Sequence, residues 1–155
     1  MIINDPIFGE LEFNYIWSKD MTIDFLGKQT EIALIVDGDE DGKFGEEQYE
    51  VYNSLMHDWE NIQHRVLQPI LDFYIERRQE LGYDVGFNES YPLIETTDQL
   101  LERITLDGII VKYPELFEFY EIGLTFNCTW DVENGVGVRL MKGNVIEVGF
   151  QDVVM

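Results

Sequence analysis

A long amphipathic segment is the feature that most constrains how this chain can fold. Large apolar residues recur at intervals of three or four within residues 46–81. The members of this stripe are Tyr52, Leu55, Trp59, Ile62, Val66, Ile70 and Phe73. Such spacing places side chains on one face of an α-helix, and that face must be buried. Because Pro69 lacks an N–H and crowds the preceding turn, we expect one long helix with a kink near this residue.

Alternating apolar residues predict three strands before the helix. The alternations cover residues 11–17, 21–25 and 32–36. A period of two residues is typical of a strand with one buried face. Because Ser18-Lys19-Asp20 is a polar cluster between the first two alternations, we expect a turn there.

The chain beyond the long helix predicts a short second helix and four strands. The helix covers residues 97–104, with Thr96 or Thr97 as its N-cap. The first strand covers residues 106–113, and the C-terminal residues alternate as three more strands. Asn134-Gly135 lies between two of these strands and is a strong signal for a hairpin turn.

Together these elements predict an α+β fold with a mostly antiparallel sheet covered by one long kinked helix and a short second helix. A chain of 155 residues can bury one core, so residues 1–155 are expected to form a single domain. The long helix should lie across the C-terminal strands, since both have a continuous apolar face. The predicted contacts join Trp59, Ile62, Val66 and Ile70 of the helix to Phe126, Trp130 and Val138 of the strands.

The charge balance restricts the partners of this chain. Ten Lys and Arg residues stand against 31 Asp and Glu residues, which gives a formal net charge of −21. Nucleic acids and anionic membranes are disfavoured as direct partners because they carry charge of the same sign. A basic protein partner is favoured by complementary fields, while solubility alone is the alternative explanation of the same charge.

Features that the sequence lacks indicate where in the cell the protein is found. The N-terminus lacks the basic and apolar regions of a signal peptide, and no apolar run is long enough to span a membrane. Cys128 is the only cysteine, so an internal disulfide is excluded and a reducing compartment is favoured. We therefore expect a cytoplasmic protein, and the oligomeric state stays open.

An acidic stretch at residues 37–48 resembles part of a calcium-binding loop. Asp37, Asp39 and Asp41 occupy positions one, three and five of a twelve-residue pattern, and Gly42 occupies position six. EF-hand loops place oxygen ligands and a sharp turn at these positions. However, Gln48 at position twelve cannot supply a bidentate carboxylate, and the preceding residues predict a strand where an EF-hand has a helix. A calcium site and a solvated acidic loop are therefore both open, and no other cofactor is predicted.

The remaining reactive side chains give little support to catalysis. His57 and His64 lie seven residues apart on the predicted helix, about 10 Å along its axis, which is too far for one metal ion. Cys128 alternates with apolar residues, so we expect a buried thiol. We expect a protein that is not an enzyme, with a carboxylate-dependent hydrolase near Asp131 and Glu133 as an alternative.

A motif near the C-terminus resembles that of a known family. The residues are Trp130-Asp131-Val132-Glu133-Asn134-Gly135-Val136-Gly137-Val138. They resemble the Trp-Asp-x-Glu-His-Gly-x-Gly-Val hairpin of a family of uncharacterised bacterial domains. The resemblance extends to a Glu-Glu-Gln-x-x-x-Tyr helix opening at residues 46–52, a Phe-Gly-x-Leu start at residues 8–11 and a Val-Gly-x-x-Asp ending at residues 148–152.

The resemblance also implies a function. Domains of this family look like those encoded beside polymorphic toxins, which implies an immunity protein that binds and neutralises a basic protein partner. This chain has Asn134 where the family has His, so a catalytic or metal-binding role of that His would be impaired here. Asn134 suits a left-handed turn before Gly135. We expect Trp130 in the core, with Asp131 and Glu133 organising the turn.

Overall fold

A computed structural model describes residues 1–83, 88–114 and 120–154, which contain one eight-stranded sheet. Its strands are β1 (Ile2–Asp5), β2 (Gly9–Asn14), β3 (Ile16–Phe25), β4 (Lys28–Val36), β5 (Ile104–Val111), β6 (Ile122–Cys128), β7 (Val136–Met141) and β8 (Asn144–Gly149). They lie side by side in chain order, and neighbours are antiparallel except for β4 and β5. A parallel pair needs a long crossover, which the helices between β4 and β5 supply. The predicted α+β fold with a mostly antiparallel sheet is confirmed.

The described residues between β4 and β5 form four helices. They are α1 (Glu46–His57), α2 (Trp59–Arg65), α3 (Leu67–Glu80) and α4 (Thr97–Leu101). The short helix α4 confirms the predicted second helix, and the Thr96 hydroxyl accepts a hydrogen bond from the Gln99 N–H as its N-cap. The prediction of one long kinked helix over residues 46–81 is wrong. The longest helical stretch is the 22 residues from α2 to α3, with a bend of 21°.

Two residues account for this division of the predicted helix. Asp58 leaves the helical conformation (φ −102°, ψ 14°), and its carboxylate accepts a hydrogen bond from Asn61 Nδ2 at 2.7 Å. Short polar side chains such as Asp compete with the helical backbone in this way and favour helix ends. Pro69 has no N–H to donate to the Arg65 carbonyl, and α2 gives way to α3 at the adjacent Val66.

The N-terminal part contains four strands instead of the three predicted. The predicted strand at residues 11–17 is a hairpin, because Tyr15 turns the chain with φ 68° between β2 and β3. Leu11 and Trp17 stay on the same face across this tight turn, so the apolar alternation does not reveal it. The turn expected at Ser18-Lys19-Asp20 is absent, since these residues lie inside β3. The four-residue strand β1 was not predicted.

The helices cover one face of the sheet and bury the predicted apolar stripe. Its core members belong to the same hydrophobic cluster as the inward residues of the C-terminal strands. They are Trp59, Ile62, Val66 and Ile70, together with Phe126, Trp130 and Val138. The Phe25 ring links the two layers, with its centroid 6.2 Å from that of Trp59 and 5.6 Å from that of Phe126.

In the described part of the chain, the opposite face of the sheet is covered over β5–β8, and Ile35 of β4 packs at the edge of this cover. There a 3-10 turn (Gln151–Val153) leads to Val154, which packs with Tyr120 and Ile110. The part formed by β1–β4 carries exposed charged and polar side chains, and we call it the open face. Its exposed acidic residues are Glu10, Glu12, Asp20, Asp24 and Glu31.

Candidate functional site

Two clefts flank helix α2. The α1–α2 cleft lies between the first two helices and the β7–β8 turn and has a volume of 680 Å³. The α2–α4 cleft lies between the β3–β4 turn, α2 and α4 and has a volume of 790 Å³. Exposed His57, the last residue of α1, lines both clefts. Both volumes fall in the range of ligand-binding pockets, roughly 300–1,000 Å³.

The α1–α2 cleft has charges of both signs along its lining. Glu50, Asp58 and Glu121 contribute carboxylates, and Lys142 contributes an ammonium group. Asp58 is already paired with Arg65 at 3.1 Å, and the same guanidinium donates to the Gly143 carbonyl at 3.2 Å. The negative charge of this cleft is therefore partly neutralised by the cationic side chains of Arg65 and Lys142.

The α2–α4 cleft is held in shape by two hydrogen bonds. The Leu26 N–H in the β3–β4 turn donates to Gln63 Oε1 at 2.5 Å. The Trp59 indole N–H donates to the Asp24 carbonyl at 2.7 Å. Both bonds join the strand turn to α2, so the two walls of the cleft are fixed relative to each other before any ligand binds.

The lining of the α2–α4 cleft is apolar in part and acidic in its charged groups. Leu26, Trp59 and Leu67 contribute apolar surface. Two exposed carboxylates come from Glu60 of α2 and Asp98 of α4, whereas the Asp24 carboxylate accepts from the Gly27 N–H at 3.3 Å in the β3–β4 turn. No lysine or arginine of the described chain lines this cleft. Its charge is therefore complementary to a cation.

Gln63 supplies the α2–α4 cleft with a buried polar group. The side chain is 4% exposed and lines the cleft. The Leu26 N–H can only donate, so the amide atom that it contacts is the oxygen, and the amide nitrogen is left as the second polar atom. This nitrogen is not a buried unpaired donor, since Arg77 Nε is the only side-chain atom of that kind in the described part of the chain.

The predicted calcium residues lie in the loop between β4 and α1, where their oxygens serve the loop itself. Asp37 pairs with Lys112 at 3.1 Å, and Asp41 Oδ1 accepts the Lys43 N–H at 3.0 Å. The Asp39 carbonyl accepts the Trp17 indole N–H at 2.7 Å. Among the described residues, no three His, Cys, Asp or Glu side chains are placed to hold a metal ion. Calcium binding at Asp37, Asp39 and Asp41 stays a prediction.

Gln48 at position twelve of that loop has a structural role that the calcium pattern does not suggest. Its side chain is fully buried. Oε1 accepts the Gly45 N–H at 2.8 Å, and Nε2 donates to the Asp37 carbonyl at 2.8 Å. The glutamine of the helix-opening motif therefore caps α1 and fixes the loop before it.

Asp131 organises the C-terminal hairpin as expected. Its carboxylate accepts from the Asn134 N–H at 3.2 Å and from Asn134 Nδ2 at 3.0 Å, and its carbonyl accepts the Gly135 N–H at 3.0 Å. The left-handed conformation belongs to Gly135 (φ 58°) and not to Asn134, which corrects our expectation. Glu133 is exposed and makes no hydrogen bond in the described part of the chain. The side-chain amide of Asn134 therefore forms its hydrogen bonds with Asp131, within the hairpin turn.

The C-terminal segment explains the glycines of the motif. Gln151 Nε2 donates to the Phe126 carbonyl at 2.8 Å, and the Gln151 N–H donates to the Asn134 carbonyl at 2.9 Å. A Cβ at Gly137 would lie 2.7 Å from the Phe150 carbonyl oxygen. The segment thus packs against backbone where a side chain would collide with it. The sequence offered a hint of this contact, since the hairpin and the ending occur together in the motif, but it gave no role to Gln151.

The two histidines lie at a different place in the fold from the reactive residues near the C-terminal hairpin. His57 and His64 are exposed and both line the α2–α4 cleft. Cys128 is buried as expected, and burial raises the pKa of its thiol to about 11. Asp131 and Glu133 line neither of the two clefts. Nothing in the sequence singled out Gln63, Asp24, Glu60 or Asp98, because they come together only through the packing of α2 and α4 beside β3.

Comparison with known proteins gives one match. The sequence model of a family described as a domain of unknown function (DUF6985) matches residues 7–155. No curated protein and no solved structure matches the chain. In the described ranges, no helix is both long and apolar enough to cross a membrane.

Proposed function

The chain belongs to the DUF6985 family, and we propose that it is a non-catalytic binding protein that neutralises a basic protein partner in the manner of an immunity protein. The observation that carries this proposal is the net charge of −21. A field of this strength attracts basic proteins and repels nucleic acids and anionic lipids. The resemblance of the C-terminal hairpin and the helix opening to toxin-associated domains supports the immunity role.

The distribution of charge supports the same proposal. Residues 1–83, 88–114 and 120–154 form four ion pairs, which use only the carboxylates of Asp37, Asp58, Glu80 and Glu147. Most of the acidic side chains therefore present their charge to solvent. Surface charges that are not engaged within the chain act at long range on an approaching partner.

A co-expression experiment tests the immunity role. The product of the gene adjacent to this one is expressed alone and together with this protein, and growth of the host cells is measured. We expect the adjacent product to stop growth and this protein to restore it. The proposal is wrong if the adjacent product is harmless, or if it is toxic and co-expression gives no protection while both proteins are made.

Salt dependence tests the electrostatic part of the proposal. Raising the ionic strength from about 0.01 M to about 0.15 M shortens the Debye length from about 30 Å to about 8 Å. The association rate with the adjacent product, measured by stopped flow, should fall by about tenfold or more, while the dissociation rate changes less. An association rate that is insensitive to salt would show that the charge does not steer binding.

A further inference from the structure

The sheet ends at β1, and no strand of the described chain pairs with the outer edge of β1. The Phe13 N–H donates to the Met1 carbonyl at 2.9 Å, which sets the phase of the β1–β2 ladder. In an antiparallel ladder, successive residues direct their backbone groups alternately toward the partner strand and away from it. Since Ile2 lies opposite Glu12, the N–H and C=O groups of Ile2 and Asn4 point away from β2. These groups can form hydrogen bonds with another strand.

The two edges of the sheet differ in how they are protected against strand addition. At the other edge, the β7–β8 ladder contains a bulge, where the register shifts between Arg139 and Leu140. The Arg139 guanidinium also pairs with Glu147 of β8. Bulges and charged side chains are common devices that prevent an edge strand from accepting another strand. In contrast, β1 has an unbroken register, and its two exposed side chains are the uncharged Ile2 and Asn4.

Exposed apolar side chains are concentrated beside the β1 edge. Of the nine large apolar side chains that are exposed in the described chain, five lie within the first 16 residues, namely Met1, Ile2, Ile7, Tyr15 and Ile16. Tyr15 is 93% exposed and has a left-handed backbone conformation (φ 68°), which is unfavourable for residues other than glycine. Its ring adds almost nothing to the core and is available for contact with another molecule. Exposed apolar patches mark interaction surfaces.

The charge beside this edge selects the kind of segment that can pair with it. Glu12 lies opposite Ile2, Glu10 lies opposite Asn4, and both carboxylates are exposed on the open face. Neither β1 nor β2 contains a lysine or an arginine. We propose that an extended segment of the basic partner protein pairs with β1 as an additional strand and directs Lys or Arg side chains toward Glu10 and Glu12. This inference rests on the proposed function, because the partner is the same basic protein.

The dimensions of a sheet are compatible with this arrangement. A strand added to β1 would lie about 4.8 Å from β1 and about 10 Å from β2. Long Lys and Arg side chains can meet the Glu10 and Glu12 side chains across that distance. Main-chain hydrogen bonds supply affinity in such strand addition, and the alternate side chains supply specificity. Because β1 has only four residues, the exposed side chains of Tyr15 and Ile16 are needed to extend the contact.

A second copy of this chain fits the β1 edge less well than a basic segment does. Pairing of two β1 strands would bring the Glu10 and Glu12 carboxylates of both copies to the same interface. Each copy also carries a net charge of −21. Juxtaposed like charges oppose association, whereas a basic segment turns the same carboxylates into favourable contacts.

Proline at position 4 tests the backbone contact. Asn4→Pro removes an N–H that points away from β2, and proline is tolerated at such positions of edge strands. Asn4→Thr keeps this N–H and is the matched control for loss of the asparagine side chain. We expect Asn4→Pro to bind the adjacent gene product about tenfold or more weakly by isothermal titration calorimetry, and Asn4→Thr to lose less than about threefold. Slow hydrogen exchange of the Phe13 N–H establishes that β1 still pairs with β2 in both variants.

Hydrogen exchange in the wild-type protein tests the same contact without a substitution. Exchange of the β1 amides is followed by NMR with and without the adjacent gene product. The Asn4 N–H should exchange about tenfold or more slowly in the complex, whereas the N–H groups of Ile3 and Asp5, which point toward β2, should change less. A contact made by side chains alone would not produce this alternation along β1.

Two double variants test the role of the carboxylates beside β1. Glu10→Gln with Glu12→Gln removes two charges next to the edge, and Glu60→Gln with Glu76→Gln removes two exposed charges from helices α2 and α3. Both variants carry the same net charge. We expect the first variant to bind the adjacent gene product about tenfold or more weakly and the second to lose less than about threefold. Thermal melts establish that both are folded.

The outcomes distinguish this inference from the proposed function. If the wild-type protein binds the adjacent product but the Asn4 N–H exchanges equally fast with and without it, or if both double variants weaken binding equally, the β1 assignment is wrong and an acidic protein that binds a basic partner remains. A dimer of the isolated protein that Asn4→Pro dissociates would assign the edge to a second copy and overturn the inference. If the wild-type protein does not bind the adjacent product at all, both the proposed function and the β1 assignment are wrong.

Discussion

Replacement of Trp59 by alanine should be among the most damaging single changes to this fold. Trp59 is 8% exposed, its ring lies 6.2 Å from Phe25, and its indole N–H donates to the Asp24 carbonyl at 2.7 Å. A buried aromatic side chain removes roughly 150–250 Å² from water, which corresponds to about 4–6 kcal/mol as an upper estimate. Measured truncations of this kind cost about 3–5 kcal/mol, and we expect a loss in that range.

Two further substitutions divide this loss into its causes. Trp59→Phe keeps most of the apolar surface and removes only the indole N–H and part of the volume, so it should cost about 1–2 kcal/mol. His57→Ala, at an exposed position two residues earlier, should change stability by about 0.5 kcal/mol or less.

Urea denaturation followed by circular dichroism measures these differences. Since domains of this size are stable by about 5–15 kcal/mol, Trp59→Ala should shift the midpoint strongly or unfold the protein. Equal midpoints for Trp59→Ala and His57→Ala would refute the reasoning, because they would mean that the helical stripe does not bury Trp59. Trp59→Phe keeps the test informative if the alanine variant does not fold.

Three other predictions concern the remaining sites. Gly137→Val should destabilise the protein by about 1–3 kcal/mol in urea titrations, because its side chain would collide with the Phe150 carbonyl, whereas Val138→Ile on the other face of β7 should cost less. If the acidic loop binds calcium, the melting temperature should rise at about 1 mM calcium but not magnesium, and Asp39→Ala should abolish the rise; identical curves would exclude the site. Burial raises the pKa of the Cys128 thiol from 9.0 to about 11, so between pH 9 and pH 11 the unfolded chain has lost this proton while the folded chain keeps it. The free energy of unfolding should therefore decrease as the pH rises from 9 to 11, and this decrease should be smaller in Cys128→Ala.

Residue periodicity predicted much of the element structure because burial on one face leaves a local pattern. The strands β4, β6, β7 and β8, helix α4 and the buried stripe of α2 and α3 were all indicated by spacing along the chain. The errors came from turns that preserve the pattern. Tyr15 reverses the chain without changing which residues face the core, and Asp58 interrupts a helix whose apolar positions continue on both sides.

The candidate site could not be predicted in the same way. Asp24, Glu60 and Asp98 are ordinary exposed carboxylates in the sequence, and an acidic chain has many of them. Glu60 and Asp98 come together because α2 and α4 pack around one cleft, and Gln63 reaches that cleft only through the same packing. Such convergence depends on contacts between distant segments, which leave no periodic signal.

The sequence by itself determined the fold class, the identity of most core residues and the strongly negative field, since these follow from local spacing and from the sum of charges. The family follows from the sequence as a whole, since the family model matches residues 7–155. Tertiary structure decided where the helix divides, that the motif glycines make room for the C-terminal segment, and which carboxylates share a cleft with Gln63. The physical reason is that burial imposes a short-range period on the chain, whereas a binding site is made by side chains whose separation in sequence is unrelated to their distance in space.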